Sequence, residues 1–188
     1  MLRPVAPETL DHVALWVADR DPIADFVTER VGMHVVDRTD AFTLVGSDAR
    51  RGKLTLFAAE GPREQGALKH VALRVSSLDD ALAGLEGVEV ERPRDGEAYF
   101  DVSEGLRLGL VEAATEVDYD LDHVALWSRS PAETPQQYED LGFAPAAAGP
   151  EDLGCSLASP ENDRVGRATR VVRAPISKRV VSGRRRAT

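Results

Sequence analysis

An eight-residue motif occurs three times in this chain, and it constrains the fold more than any other feature. The segment from Leu10 to Val17 reads Leu-Asp-His-Val-Ala-Leu-Trp-Val, and closely similar segments begin at Leu68 and Leu121. Each copy has a histidine at its third position, and these histidines are His12, His70 and His123. Such a repeat predicts a fold assembled from copies of one supersecondary unit.

Each copy is followed by the sequence signals of a helix. In the first copy, Asp21 and Pro22 predict an N-cap and a first helical residue, and Gly32 predicts the end of the helix. The later copies carry Ser77, Asp80 and Gly87, and then Ser130, Pro131, Glu133 and Gly142. Every copy therefore predicts a strand followed by one amphipathic helix.

Short apolar runs separated by Gly, Asp and Ser predict further strands after these helices. The predicted strands are 33–36, 41–45 and 53–59 in the first unit, and 88–91, 98–102 and 106–111 in the second. Each unit then reads βαβββ, which is an α+β fold. We predict paired modules at 10–60 and 68–112 within a domain of residues 8–114, and an incomplete third module at 118–158. Two paired modules would form a curved, open half-barrel sheet around a cavity, with the helices outside.

The alternation of side chains along a strand predicts which residues face that cavity. Val and Leu occupy alternate positions of the motif, and they should pack beneath the helix. The opposite face then carries His12, Ala14 and Trp16 in the first copy and His70, Ala72 and Arg74 in the second. In the third copy it carries His123, Ala125 and Trp127.

The Leu-Asp-His-Val-Ala-Leu pattern at the start of βαβββ repeats resembles the vicinal oxygen chelate superfamily. That group includes glyoxalase I, bleomycin-resistance proteins and extradiol ring-cleaving dioxygenases. The resemblance covers roughly residues 10–157. Because the chain has three copies of the motif, it resembles most the extradiol dioxygenases, which have four modules.

The resemblance implies a divalent metal site, with His12, His70 and His123 as candidate ligands. In the dioxygenases, two histidines and a last-strand glutamate hold Fe(II) and leave positions open for catechol and oxygen. In glyoxalase I, four such ligands hold a metal that polarises the substrate. The first two modules of the dioxygenases have usually lost metal binding, which would make His12 and His70 relics and His123 a ligand. Structural hydrogen bonding is the alternative role for all three.

The family glutamate has no match at the expected positions. Gly109 takes its place in the second module and Phe57 in the first. Glu60 and Glu112 align with each other as substitutes, but strand alternation places Glu112 on the core face. Tyr99 lies near the position of a second-sphere tyrosine in relatives, although strand packing explains it equally well.

Charge separates the last 30 residues from the rest of the chain. The net charge is −9, yet residues 159–188 contain nine Arg and Lys against two acidic residues, which leaves −16 on the rest. This acidic body disfavours nucleic-acid binding. We predict that the tail is disordered and lies outside the repeat, as an unrelated or out-of-frame continuation; the alternative is a basic segment that binds nucleic acid or acidic lipid.

The remaining expectations concern compartment and function. One cysteine, Cys155, excludes an intrachain disulfide, and no apolar run suits a signal peptide or a membrane span, so we expect a cytoplasmic protein. Three functions stay open: an extradiol dioxygenase-like protein that depends on Fe(II), a glyoxalase-like isomerase or lyase, and a non-catalytic protein that binds a small molecule. A homo-oligomer is compatible with each of them.

Overall fold

The computed structural model describes residues 10–64, 66–128, 134–140 and 168–173. These residues form nine strands and three α-helices, and a π-helical turn, Val27–Val31, continues the first helix. In chain order the elements are β1 His12–Val17, α1 Arg20–Phe26, β2 His34–Arg38, β3 Phe42–Gly46, β4 Lys53–Ala58, β5 Leu68–Val75, α2 Leu78–Ala83, β6 Glu97–Asp101, β7 Arg107–Glu112, β8 Asp120–Ser128, α3 Thr134–Asp140 and β9 Ala168–Arg173.

The strands form two mixed sheets. The first has the order β1-β4-β3-β2, and the second has the order β6-β7-β5-β8-β9. In each sheet the first strand of a module runs parallel to the last strand of the same module, as β1 does to β4 and β5 does to β7. Both sheets are open, so the predicted α+β class with βαβββ modules is confirmed. The second module departs in one respect, because its expected strand at 88–91 is reduced to a single bridge between Glu91 and Tyr99.

The helix signals match one end of each of the first two helices: the end of the first helix and the start of α2. The predicted end of α2 at Gly87 is wrong, because this helix stops at Ala83 with Gly84 as its C-cap. Gly32 ends the first helix with a φ of 103°, a left-handed conformation that glycine adopts without strain. That helix begins at Arg20 with Asp19 as its N-cap, so Pro22 is its third residue and not its first. Ser77 is the N-cap of α2 and accepts a hydrogen bond from the Asp80 N–H at 3.2 Å, as the capping pattern predicts. The predicted start of the third helix at residues 130–133 lies outside the described residues.

The Val and Leu faces of the repeat strands form the core, as alternation predicts. Val71, Leu73 and Val75 are buried, as are Leu15 and Val17 of β1. A single hydrophobic cluster joins these faces with the apolar sides of α1 and α2. The Phe26 ring of α1 contacts the Phe100 ring of β6, with centroids 6.1 Å apart. The first two modules therefore share one core, and their histidine faces lie on the opposite sides of the sheets.

Hydrogen bonding between modules joins the second module to the third. We expected the first two modules to share one sheet, but β5 pairs antiparallel with β8, the first strand of the third module. The range 159–188, predicted to be a disordered tail, contains strand β9, which pairs with β8. The other residues of that tail lie outside the described residues, so their disorder stays a prediction. The division into domains also stays a prediction.

Candidate functional site

The antiparallel pairing of β5 with β8 brings two of the repeated histidines together. Ala72 lies opposite His123, and His70 lies opposite Ala125, so both imidazoles project from the same face of the sheet. Their Nε2 atoms are 3.0 Å apart. Both side chains are buried, with residue exposures of 7% for His70 and 2% for His123. Sequence alternation predicted this face, and the strand pairing adds the contact.

An acidic residue next to His123 fixes the orientation of its ring. The Nδ1 atom of His123 lies 2.7 Å from Oδ2 of Asp122, and the other carboxylate oxygen accepts hydrogen bonds from Arg74 at 2.9 and 3.0 Å. Burial raises the pKa of Asp122, but the hydrogen bond with His123 and the charge of Arg74 lower it to about 2. Asp122 is therefore ionised near neutral pH and holds a proton at Nδ1 of His123. When that ring is neutral, its Nε2 atom carries a lone pair directed at His70.

His70 is neutral over the physiological range. Burial is the largest cause that lowers its pKa to about 3, and repulsion from His123 when that ring is protonated adds to it. A neutral imidazole can accept a proton or bind a metal through its unprotonated nitrogen. Since both facing atoms are Nε2, one of them must carry a proton for the observed contact to be a hydrogen bond.

An aromatic ring fills the space where the family glutamate would project. Tyr99 of β6 lies opposite Gly109 of β7, and Gly109 lies opposite Ala72 of β5. A Cβ atom added to Gly109 would lie only 2.5 Å from the Tyr99 ring. That ring packs against His70, with centroids 4.7 Å apart. The Tyr99 ring thus occupies the space that a side chain at position 109 would need, in the row of residues that crosses the sheet toward His123.

One buried carboxylate on this face was missed in the sequence. Glu97 lies two residues before Tyr99 on β6 and is 6% exposed. It accepts hydrogen bonds from the Tyr99 hydroxyl at 3.1 Å and from Arg94 at 2.6 Å. Glu97 lies two residues from Tyr99, so strand alternation places both on one face and could have indicated it from the sequence. Asp122 could also have been noticed, because it directly precedes the motif histidine His123. Glu97 is engaged by these two partners and supports the tyrosine beside the histidine pair.

The other candidate ligands lie elsewhere. The His12 side chain is 52% exposed on the first sheet and forms its hydrogen bond with Asp11, at 2.8 Å. Glu112 accepts a hydrogen bond from the Leu78 N–H at the start of α2, which agrees with the core-side position that alternation predicted. Glu60 is exposed in the loop after β4. The structure therefore brings His70 and His123 together and separates them from His12.

The histidine pair satisfies part of the requirement for a metal site. Two nitrogens bound at about 2.1 Å and at right angles on one cation would lie about 3 Å apart, which matches the separation of the two Nε2 atoms. The neutral state of His70 and the carboxylate behind His123 are also typical of metal-binding histidines. Within the part of the chain that the structure describes, no group of three His, Cys, Asp or Glu side chains could hold a metal ion. The donors present fit two positions of a metal and leave the rest to other groups.

A separate shallow pocket lies on the open face of the first sheet. It has a volume of about 400 Å³ and is lined by Ala14, Trp16 and the loop that contains Arg63 and Glu64. Trp16 is 61% exposed and stacks on Phe57, with ring centroids 4.8 Å apart. Phe57 takes the position of the family glutamate in the first module, and here its ring supports the exposed ring of Trp16.

Sequence comparison agrees with this fold. Residues 9–95 match the family profile described as the Glyoxalase/Bleomycin resistance protein/Dioxygenase superfamily. This match and the βαβββ architecture place residues 9–95 in the vicinal oxygen chelate superfamily. No curated protein sequence matches the chain significantly.

Several solved structures are similar to this chain at low sequence identity. A protein from Bacillus subtilis strain 168, provisionally described as a dioxygenase, is 20% identical with a TM-score of 0.57. The alignment covers 72% of this chain and 55% of that one, so the present chain spans little more than half of its length. The antibiotic-binding protein TnmS3 from Streptomyces sp. CB03234 is 24% identical with a TM-score of 0.46, over 58% of this chain and 99% of that one. The fosfomycin resistance protein FosX from Listeria monocytogenes is 20% identical with a TM-score of 0.44, over 57% and 92%.

One further expectation concerns membranes. None of the helices in the described ranges is both long enough and apolar enough to cross a membrane.

Proposed function

We propose that this chain is a metal-dependent vicinal oxygen chelate protein related to the extradiol dioxygenases. His70 and His123 are the imidazole ligands of one divalent cation, with Fe(II) as the metal of that class. The observation that carries the proposal is the 3.0 Å separation of two buried Nε2 atoms, with Asp122 bound to the far side of one ring. A cation held there would supply a Lewis acid that polarises oxygen atoms of a bound ligand.

The surrounding residues support such a role. Asp122 keeps the proton of His123 on Nδ1, and burial keeps His70 neutral. A cation can therefore bind both Nε2 atoms once the proton of His70 moves to its Nδ1 atom. Tyr99 covers one side of His70 and limits the access of water. Two neutral imidazoles do not neutralise a divalent charge, whereas the dioxygenase site contains a carboxylate. We therefore expect weak metal binding and little ring cleavage when the chain acts alone.

Metal titration with matched histidine variants tests the site. Co(II) is a suitable probe because its absorption bands report bound nitrogen ligands. His70→Ala and His123→Ala should each weaken Co(II) binding at least tenfold, whereas the exposed residues His12 and His34 serve as controls, and their alanine variants should bind as the parent does. Equal binding by all four variants, or no binding by the parent at millimolar Co(II), would refute the histidine pair as a metal site.

A gain-of-function variant tests the same geometry from the opposite direction. Tyr99→Val removes the ring above Gly109, and Gly109→Glu then adds a carboxylate in the row that leads through Ala72 to His123. The double variant should bind Co(II) more tightly than the parent, by about tenfold or more, because a charged ligand joins the two imidazoles. Tyr99→Val with Gly109→Gln is the matched control of similar size without the charge. Equal affinity of these two double variants would contradict the placement of the site.

The open pocket beside Trp16 favours a second candidate function, the binding of a small flat ligand without catalysis. The Trp16–Phe57 stack offers an exposed aromatic surface, and Arg63 and Glu64 offer polar contacts at its edge. Quenching of tryptophan fluorescence by aromatic ligands in the parent, and its loss in Trp16→Ala, would support this function. Binding that persists in Trp16→Ala and disappears in His70→Ala would favour the metal site.

A further inference from the structure

The turn between β6 and β7 contains a glutamate in an unfavourable backbone conformation. The Leu106 N–H donates to the Ser103 C=O at 2.8 Å, and the two residues between them, Glu104 and Gly105, have φ values of 48° and 67°. Two-residue hairpin turns of this kind favour Asn-Gly or Asp-Gly, because few residues other than glycine, Asn and Asp adopt the left-handed conformation readily. A glutamate held in this conformation indicates a role beyond the turn itself.

The carboxylate of Glu104 accepts hydrogen bonds from two backbone N–H groups outside its own hairpin. Its Oε1 atom binds the N–H of Asp19, the N-cap of α1, at 2.5 Å. Its Oε2 atom binds the N–H of Arg63, in the loop after β4. Burial raises the pKa of Glu104, but hydrogen bonds from backbone N–H groups lower it below the ordinary value. Glu104 is therefore ionised near neutral pH, and hydrogen bonds to a charged acceptor are stronger than those between neutral groups.

The same two partners bind the rest of the turn. The Arg63 side chain donates through Nη2 to the Gly105 C=O at 2.7 Å and through Nε to the Glu104 C=O at 3.3 Å. The Ser103 hydroxyl donates to Oδ2 of Asp19 at 3.0 Å. The turn of the second module is thus joined to the first helix and to the loop after β4 by both side-chain and backbone groups.

That loop, residues 59–64, forms one wall of the pocket beside Trp16. At its start, the Ala59 N–H donates to a carbonyl of β1 at 3.0 Å. In its middle the packing is open, because a methyl group added to Gly61 would have no atom within 4 Å. Near its far end, Arg63 binds the turn of the second module through its N–H and its guanidinium. The position of this wall relative to Trp16 therefore depends on the contacts of Arg63 with the turn.

We propose that Glu104 is the positioning residue of this pocket. By binding the N–H groups of Asp19 and Arg63, it fixes the 59–64 loop at the separation from Trp16 that a flat aromatic ligand fills. The second module thereby supplies a residue on which a binding site of the first module depends. This inference rests on the second candidate function, ligand binding beside Trp16, and is independent of the metal site.

Amide hydrogen exchange measured by NMR tests the positioning without any ligand. Glu104→Asn removes the long carboxylate and introduces a residue that this turn favours, so it separates the contacts with the loop from the formation of the hairpin. The Arg63 amide should exchange about tenfold faster or more, whereas the Ala59 amide should exchange as in the parent. Asp101→Asn, which removes the same charge from an exposed position on β6, is the control and should leave both rates unchanged. Unchanged exchange of the Arg63 amide in Glu104→Asn would overturn the proposal.

Ligand titration tests the consequence for the pocket, with 4-nitrophenol as the probe in EDTA. Trp127→Phe provides a background in which Trp16 is the one tryptophan, so quenching of its fluorescence reports the pocket. Glu104→Asn should raise the Kd for the probe at least fivefold, and Asp101→Asn should not change it. An unchanged Kd in Glu104→Asn despite faster exchange of the Arg63 amide would also overturn the positioning role. If the parent fails to bind the probe, the ligand-binding function is refuted, and the exchange rate of the Arg63 amide alone decides whether Glu104 positions the loop.

Discussion

Gly109→Ala is the substitution whose effect follows most directly from the structure. The added methyl group would lie 2.5 and 2.7 Å from two carbons of the Tyr99 ring and 3.4 Å from Ala72. Ordinary contacts begin near 3.4 Å, so the Tyr99 ring must move by roughly 1 Å. Its packing against His70 and its hydrogen bond to Glu97 oppose that movement. Overpacking of this kind costs about 1–3 kcal/mol. We therefore expect the free energy of unfolding to fall by that amount, as measured by urea titration followed with circular dichroism.

A double-mutant cycle separates this collision from other effects of the substitution. In a Tyr99→Val background the ring is gone, and Gly109→Ala should change the stability by less than about 0.5 kcal/mol, which gives a coupling of at least about 1 kcal/mol. Gly61→Ala is the control, because nothing lies within 4 Å of a methyl group there. Equal destabilisation by Gly109→Ala in both backgrounds would show that Tyr99 does not occupy the space above Gly109.

Three further predictions concern the charged groups around the core. The pKa of His70 is about 3 in the folded protein and 6.5 ordinarily, so the unfolded chain binds the extra proton as the pH falls. The free energy of unfolding is therefore highest above about pH 7 and decreases by about 2 kcal/mol between pH 7 and 5. Urea titrations of His70→Leu should lack this loss. Asp122→Asn leaves the buried Arg74 without its ion pair and should lower the free energy of unfolding by about 3 kcal/mol. The exposed control Asp79→Asn should lower it less, and equal losses would contradict the burial of the Arg74–Asp122 pair. Glu112→Gln weakens the hydrogen-bond acceptor at the start of α2 and should lower the free energy of unfolding by about 0.5–1 kcal/mol at low salt. If 1 M salt leaves this effect unchanged, the charge of Glu112 is not its cause.

Some features of this protein follow from its sequence alone. Alternation along the repeated motif assigned Val71 and Leu73 to the core and His70 and His123 to the opposite face, because side chains in a strand alternate whatever the partner strand is. The same rule directed Glu112 away from the histidine face. Gly32 and Ser77 marked local features of the helices, since capping depends on residues close in the chain.

Strand partnership and the final contacts were decided by the tertiary structure. All three motif copies could have paired with one another, and the sequence contained no signal that β5 would join β8 and leave β1 at an edge. That choice made His70 and His123 neighbours and left His12 exposed, although the three histidines are equivalent in sequence. The position of the Tyr99 ring over Gly109 likewise depends on the register between β6 and β7. Local patterns determine the face of the strand on which a side chain lies. Its contact partners are residues far apart in the chain, and only the packing of the whole molecule selects them.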